Sequence, residues 1–251
     1  MMNHDGGAIP ELDPNRSSPG WFLKRSAFEF GLRSADQILV QNGTQQRALH
    51  KNYGRSSRIR PSAHPIEKTG TLNEERKYIT WIARSDRWKQ PERFLELARS
   101  FPEESFLMIM PNSGDTSYWQ RVKTDARKVE NLKFLDFVPH HEIRKCFQKT
   151  RIFVNTSSSE GFPNTFIQAA STFTPILSYA VDPDGILQKY NMGICAGGDP
   201  SKLEVELRRL MNNEERVKQM GKNAREYAKK NHDLDKIIEE DKNIIISLVQ
   251  R

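Results

Sequence analysis

Cysteine is almost absent from this chain: Cys146 and Cys195 are the only two among 251 residues. Neither belongs to a Cys-x-x-Cys pair or to a cysteine–histidine spacing, which argues against a disulfide framework and against a structural zinc site. We therefore expect a reducing, cytoplasmic compartment and expect both thiols to be small core residues.

Long apolar runs are also missing. No stretch approaches the roughly 20 residues that span a bilayer. The first 20 residues have neither the basic start nor the apolar centre of a secretory signal. With 36% hydrophobic and 28% charged residues, the composition predicts a soluble globular protein of one large domain or two smaller ones.

The charge balance is basic, with a formal net charge of +7. Such a surface attracts polyanions, including nucleic acid, anionic lipid headgroups and phosphorylated small molecules. Because the chain has no RNA-recognition signature and no basic strand interleaved with aromatic residues, nucleic acid is not an expected partner. A peripheral contact with an anionic membrane at the cytoplasmic face stays open.

The spacing of apolar segments predicts an α/β fold. Strand-like segments recur after residue 77 and alternate with amphipathic helical segments. The expected strands are 78–83, 105–110, 132–137, 151–156 and 175–180. Because these segments are continuously apolar rather than alternating, they predict a Rossmann-like parallel sheet with helices on both faces.

Composition also suggests the domain boundaries. Residues 58–76 are rich in proline, glycine and charge and have no periodicity, which is typical of a linker. We therefore expect a first region over 1–57, the α/β domain over 77–232 and a C-terminal helix over 233–251.

The loops that leave the expected strands are the candidate sites, because open parallel sheets bind ligands at the carboxyl ends of their strands. After the first strand, "RSDRWKQPERF" offers Arg84, Arg87 and Lys89 before a helix that begins at Pro91. A helix start beside cations suits a diphosphate. On these residues alone, a solvated basic turn is the alternative.

The loop after 151–156 reads "SSSEGFPNTFIQAAS" and places a single acid on a tight turn before a helix. Glu160 can accept hydrogen bonds from a polyol, and the N–H groups of Gly161, Phe162 and Asn164 can face an anion. Gln168 lies roughly 12 Å further along a helix axis. A solvated loop acid and an ordinary polar helix position are the alternatives.

Two further loops carry pairs of metal-ligand residue types. His140 and His141 have no third ligand nearby, so we expect them at a surface helix start. Asp182 and Asp184 form a literal Asp-x-Asp, a pattern that holds a divalent metal in some sugar transferases. Two acids around a proline are also an ordinary turn.

Taken together, "WIARSDRWKQPERFLELA" and "IFVNTSSSEGFPNTFIQAAS" resemble the donor-binding half of glycosyltransferase family 4, the group 1 retaining enzymes of GT-B fold. That family has an Arg and, after four residues, a Lys; these are Arg84 and Lys89 here. It also has a Glu-Gly-Phe loop with a second Glu eight residues after the first, where this chain has Gln168. The segment "SADQILVQNGTQQRALHKNYG" resembles the end of the acceptor half, so 1–57 would be its remnant.

The resemblance implies a nucleoside-diphosphate sugar as donor, a hexosyltransferase type of activity and a role in polysaccharide biosynthesis. Arg84, Lys89 and Glu160 would be catalytic, the first two on the diphosphate and Glu160 on the transferred sugar. Gly161, Phe162, Pro163, Asn164 and Gln168 would bind substrate, with residue 168 at the ribose. The family generally works without a bound metal, so we expect no cofactor, and Asp182 and Asp184 would shape their loop.

The resemblance also implies a glycan or lipid-linked acceptor, whose site would lie mostly before residue 20. We therefore expect either a shortened chain or a separate partner chain that carries the acceptor half. The alternatives that stay open are a catalytically silent nucleotide- or polyanion-binding module, a GT-B-like epimerase and a metal-dependent transferase that uses Asp182 and Asp184.

Overall fold

The computed structural model describes residues 19–67 and 75–250. These residues belong to two compact units. The larger contains 66–159 and 164–231, and the smaller contains 1–65, 160–163 and 232–251, in so far as each range is described. The chain thus enters the smaller unit for only four residues, Glu160–Pro163, before it returns to the larger one. The sequence-based domain boundaries at 57, 76 and 232 stay a prediction.

The smaller unit begins with an alternation of helix and strand. Its first four elements are α1 (Pro19–Ser34), β1 (Leu39–Val40), α2 (Gly43–Tyr53) and β2 (Arg58–Ile59). The two short strands pair in parallel, and α2 is the crossover between them. The helix is capped at both ends: Asn42 accepts a hydrogen bond from the amide of Gln45, and Gly54 ends it in the left-handed region at φ 63°.

The larger unit is built on a six-stranded sheet. Its strands are β3 (Tyr78–Ile82), β4 (Ser105–Ile109), β5 (Leu132–Leu135), β6 (Thr150–Asn155), β7 (Ile176–Ser178) and β8 (Gly193–Cys195). They lie in the order β5-β4-β3-β6-β7-β8, and all neighbours are parallel. The central pair, β3 and β6, is joined by side chains as well, since the hydroxyls of Thr80 and Thr150 lie 2.8 Å apart.

An α-helix follows each of the strands β3 to β7, the one between β7 and β8 being short, and two more α-helices follow β8. They are α3 (Pro91–Ser100), α4 (Thr116–Ala126), α5 (His140–Gln148), α6 (Asn164–Ala170), α7 (Ile186–Lys189), α8 (Pro200–Met211) and α9 (Glu214–Asn231). The last helix, α10 (Leu234–Val249), lies in the smaller unit, where Asp241 pairs with Arg60 through two hydrogen bonds. No helix among the described residues is both long and apolar enough to cross a membrane.

The core of the larger unit explains why the strands are apolar throughout. Ile79 and Phe106 are fully buried, and Phe94 of α3 packs edge-on against Phe106 with ring centroids 5.4 Å apart. Full burial of such side chains contributes about 2 to 3 kcal/mol each. The predicted Rossmann-like α/β fold, with a parallel sheet flanked by helices, is confirmed.

The structure corrects two details of the sequence analysis. It adds β8, which the analysis missed because three residues beginning with glycine give little strand signal. A side chain at Gly193 would overlap the carbonyl oxygen of Ile176, so β8 approaches β7 closely there. The prediction that both cysteines are core residues was wrong: Cys146 and Cys195 are half-buried, and partial burial raises the pKa of each thiol.

Candidate functional site

The loop that leaves β3 carries the predicted cations within the larger unit. Between the end of β3 and the start of α3 lies one 3-10 turn, Arg87–Lys89. The side chain of Arg84 is 61% exposed, and its guanidinium lies 3.1 Å from a carboxylate oxygen of Asp86. Arg84 is therefore accessible from solvent to an anionic ligand.

Lys89 lies in a more enclosed setting than Arg84. It is half-buried, and its ammonium nitrogen sits 3.9 Å from the centroid of the Trp88 ring. The next residue, Gln90, has φ 48°, a left-handed conformation that is costly for a residue with a side chain. Because Pro91 then starts α3, the chain turns sharply at the end of this loop.

Hydrogen bonds join the β3 loop to the loop that leaves β6. The hydroxyl of Thr156 donates to the main-chain carbonyl of Lys89 at 2.6 Å. A second bond lies next to it: the amide of Ser158 donates to the main-chain carbonyl of Trp88 at 2.9 Å. Since β3 and β6 are neighbours in the sheet, the two loops form one continuous polar edge at the carboxyl ends of the central strands.

The buried start of the β6 loop also fixes its own path. Asn155 is buried, and its side-chain oxygen accepts a hydrogen bond from the amide of Ser157 at 3.1 Å. The indole nitrogen of Trp81 donates to the hydroxyl oxygen of Thr156 at 2.8 Å. The Thr156 hydroxyl therefore accepts a hydrogen bond from a side chain of β3 and donates one to the loop that follows β3.

The four residues Glu160–Pro163 belong to the smaller unit. Glu160 is half-buried, while Phe162 and Pro163 are buried. The carbonyl of Gly161 accepts a hydrogen bond from Asn42 Nδ2 at 2.8 Å. The ring of Phe162 packs against that of His232, with centroids 5.3 Å apart. The two residues that follow Glu160 are thus both held by contacts within the smaller unit.

The remaining predicted substrate residues return to the larger unit at α6. Asn164 begins this helix and is exposed, and Gln168 is half-buried one turn later. The main-chain carbonyl of Gln168 accepts the hydroxyl of Ser171 at 2.8 Å. This bond involves only its backbone, so the Gln168 amide group is not used in it.

Arg87, the third cation of the β3 loop, has a structural role. Its guanidinium lies 2.9 Å from Asp115 and stacks on the ring of Tyr118 at 4.4 Å. The pKa of Asp115 falls to about 2, first because the amide of Tyr118 donates to it and then because Ser117 and Arg87 do. Arg87 is therefore engaged with α4, whose N-terminus Asp115 caps.

The two Asp-x-Asp carboxylates have different environments. Asp182 is half-buried, which raises its pKa, and it accepts a hydrogen bond from the amide of Leu187 at 2.9 Å. Asp184 is exposed and has φ 53° in the 3-10 turn Pro183–Gly185. Asp182 thus holds the start of α7. Within 19–67 and 75–250, no group of three or more metal-ligand side chains could hold an ion.

The histidine pair lies where the sequence predicted it, at the start of α5. Both His140 and His141 are exposed, and Pro139 occupies the N-cap position without a side-chain cap. His141 is 3.9 Å from Glu142.

The predicted site residues therefore do not all belong to the same unit. Arg84, Lys89, Asn164 and Gln168 lie in the larger unit, and Glu160–Pro163 lies in the smaller one. Two contacts within the smaller unit had no signal in the sequence: Asn42 contacts Gly161, and His232 contacts Phe162. Asn42 precedes a helix and could have been predicted as a cap, but its contact across 119 residues has no local signal.

The chain is similar to known proteins both in sequence and in fold. The family model described as glycosyl transferases group 1 matches residues 64–227. An uncharacterized glycosyltransferase of Methanocaldococcus jannaschii is 28% identical over 115 residues, which are 41% of this chain and 33% of the relative. The chain spans between 33% and 43% of the length of the curated relatives it matches.

Solved structures share the fold at low identity. Sucrose-phosphate synthase of Thermosynechococcus elongatus superposes with a TM-score of 0.80 at 16% identity, over 98% of this chain and 67% of that one. HepE of Anabaena, in complex with UDP-glucose, gives 0.79 at 16% identity, over 98% and 71%. The likeness supports the predicted GT-B type of fold.

Proposed function

Because the chain belongs to the group 1 glycosyl transferases, we propose that it transfers a sugar from a nucleoside-diphosphate sugar to a glycan or lipid-linked acceptor, with retention at the anomeric carbon. The observation that carries the proposal is the joined edge of the β3 and β6 loops. In open parallel sheets, ligands bind at this edge. The complex of HepE with UDP-glucose supports a donor of this class.

The cations of the β3 loop would act on the leaving group. When the bond from the sugar carbon to the phosphate oxygen breaks, the departing nucleoside diphosphate gains negative charge. Arg84 would hold the diphosphate with its planar guanidinium, and Lys89 would add a point charge. Charges that are already in position stabilise such a transition state. The proposed reaction therefore needs no metal or other cofactor.

The Glu160–Pro163 segment would recognise the sugar that is transferred. Glu160 would accept hydrogen bonds from its hydroxyls, while the N–H groups of Gly161, Phe162 and Asn164 lie next to it in the chain. Pro163 would keep the segment rigid. Gln168 would contact the ribose, where its amide offers one acceptor and a carboxylate would accept from both hydroxyls.

The acceptor and its binding partners are also proposals. A polysaccharide or a lipid-linked glycan fits the family, and a separate chain would supply the acceptor half if the acceptor site is not on this chain. Peripheral contact with an anionic membrane is supported by α1, where Phe22 and Phe30 are exposed beside Arg25 and Arg33. Exposed aromatic and basic side chains on one helix suit a lipid surface.

The proposal is tested by calorimetric titration in moderate salt with UDP, GDP, ADP and a polyanion. We expect one diphosphate to bind selectively. Arg84→Ala or Lys89→Ala should weaken that binding about tenfold or more, since each loses a charged hydrogen bond. The exposed Arg216 of α9 gives a matched control, and Arg216→Ala should bind as the unchanged protein does.

Two outcomes would contradict this function. Salt-sensitive binding of every polyanion, unaffected by Arg84→Ala, would indicate a polyanion-binding module. Transfer activity that a chelator abolishes and a divalent metal restores would instead favour a metal-dependent transferase that uses Asp182 and Asp184.

A further inference from the structure

We propose that Asn42 is a positioning residue for Glu160, which it holds in place through the carbonyl of Gly161. This inference rests on the proposed role of Glu160 in binding the transferred sugar. It concerns contacts within the smaller unit, to which both Asn42 and the Glu160–Pro163 segment belong.

Both polar atoms of the Asn42 side-chain amide form hydrogen bonds. It is 4% exposed, and its Oδ1 accepts a hydrogen bond from the amide of Gln45 at 2.8 Å, which caps α2. Its Nδ2 donates to the carbonyl of Gly161, also at 2.8 Å. Because the cap requires an acceptor and the Gly161 carbonyl requires a donor, the two bonds fix the orientation of the amide. Serine and aspartate can cap a helix, but neither supplies this N–H donor.

The cap itself is held rigidly. The main-chain amide of Gln41 donates to Gln45 Oε1 at 2.7 Å, so Gln45 closes the turn from the other side. The hydrogen bonds at the start of α2 therefore fix the position of Asn42. Through its bond to Asn42, the Gly161 carbonyl is held at a defined position relative to this helix.

A second anchor acts one residue further on. The ring of Phe162 packs on His232, whose Nδ1 lies 2.8 Å from the carbonyl of Ser62. Two main-chain hydrogen bonds join the segment around this histidine to His64. The amide of His64 donates to the carbonyl of His232 at 2.8 Å, and the amide of Leu234 donates to the carbonyl of His64 at 3.0 Å. The two residues that follow Glu160 are thus both attached to the smaller unit.

Glu160 and Asn42 would therefore have different roles. Glu160 would contact substrate, while Asn42 would set the path of the backbone from which Glu160 projects. Loss of the Asn42 donor leaves the Gly161 carbonyl without this bond and lets the segment move. The affinity for the sugar nucleotide should then fall, whereas the affinity for the nucleoside diphosphate should not.

The test compares Asn42→Ser and Asn42→Asp, which keep the cap, with Asn223→Ser. Asn223 is a matched control because its Nδ2 also donates to a main-chain carbonyl, that of Asn191 at 3.0 Å, but in the larger unit. Calorimetry would measure the affinity for a sugar nucleotide and for the corresponding nucleoside diphosphate. Thermal unfolding would check that each variant folds and keeps its cap.

We expect Asn42→Ser to lower sugar-nucleotide affinity about three- to tenfold, the range for one hydrogen bond, with diphosphate affinity unchanged. Asn42→Asp should lose at least as much, because a carboxylate would face the Gly161 carbonyl. The ¹⁵N relaxation order parameter of the Gly161 amide should fall in both variants and not in Asn223→Ser. Unchanged sugar-nucleotide affinity, or an equal loss for both ligands, would overturn the inference.

A parallel Glu160→Ala variant separates this inference from the function on which it rests. If Glu160→Ala loses the sugar contribution and Asn42→Ser does not, the positioning role alone is wrong. If Glu160→Ala binds both ligands as the unchanged protein does, the proposed role of Glu160 fails and the positioning role fails with it.

Discussion

The hydroxyl of Thr156 donates a hydrogen bond to the main-chain carbonyl of Lys89 at 2.6 Å. The same hydroxyl oxygen accepts the indole N–H of Trp81 at 2.8 Å. One buried threonine thus joins the end of β6 to the loop after β3, and it does so at the cation proposed to hold the donor diphosphate.

Thr156→Val removes this hydroxyl with little change of shape. The indole nitrogen of Trp81 and the carbonyl of Lys89 would both lose a partner, which should lower the free energy of unfolding by about 2 to 4 kcal/mol. Urea unfolding at neutral pH measures the change. Thr124→Val on the exposed face of α4 is the control, and a similar small effect for both variants would show that the Thr156 bonds contribute little.

His232 makes stability depend on pH. It is 1% exposed, and burial lowers its pKa to about 4 from an ordinary value near 6.5. Between these two values the unfolded chain binds a proton that the folded chain does not. We therefore expect the contribution of the neutral His232 to the free energy of unfolding to be fully present above pH 6.5 and to fall by up to about 3 kcal/mol as the pH is lowered toward 4.

Urea unfolding of the unchanged protein and His232→Gln at pH 7.0, 5.5 and 4.5 checks this dependence. The Gln variant should be less stable at pH 7 and should lose stability less steeply on acidification. His141→Gln, which changes an exposed histidine, should keep the original slope. An identical slope in His232→Gln would mean that His232 is not the group responsible.

Gly221 of α9 lies against the main chain of another segment. A methyl group there would overlap the carbonyl oxygen of Phe173, so Gly221→Ala should destabilise the protein by about 3 kcal/mol. At Gly31 of α1, outside the helix's own backbone, no atom of the described residues lies within 4 Å of the same position. Gly31→Ala should instead stabilise by roughly 0.5 to 1 kcal/mol, and thermal unfolding of the two variants should shift in opposite directions.

Gln168 offers a gain-of-affinity test. In Gln168→Glu a carboxylate would accept from both ribose hydroxyls, and we expect nucleoside diphosphate to bind about threefold to tenfold more tightly. The gain should vanish for a 2′,3′-dideoxy nucleotide. Gln120→Glu, an exposed change on α4, controls for added charge, and equal effects of the two substitutions would argue against a ribose contact.

The fold of the larger unit could be predicted because its information is local. Continuous apolar segments such as 78–83 indicated buried parallel strands, and the predicted helix start at Pro91 is where the structure begins α3. The strand β8 was not predicted, because three residues that begin with glycine give little strand signal and their pairing with β7 is not visible in the local sequence.

The site was predictable to a smaller extent. Spacing singled out Arg84, Lys89 and Glu160, because a family pattern ties those residue types together. No local pattern could show that Asn42 reaches Gly161, or that Glu160–Pro163 belongs to a different unit from its neighbours. Such contacts between distant parts of the chain follow from the folded structure alone.

The most direct test of this account is the affinity of Glu160→Ala for a sugar nucleotide and for the matching nucleoside diphosphate. We predict a loss of about tenfold for the sugar nucleotide, the scale of hydrogen bonds to a charged group, and no loss for the diphosphate. Glu103→Ala, at an exposed acid, should leave both affinities unchanged. An equal loss for both ligands, or no loss for either, would contradict the claim that Glu160 recognises the transferred sugar.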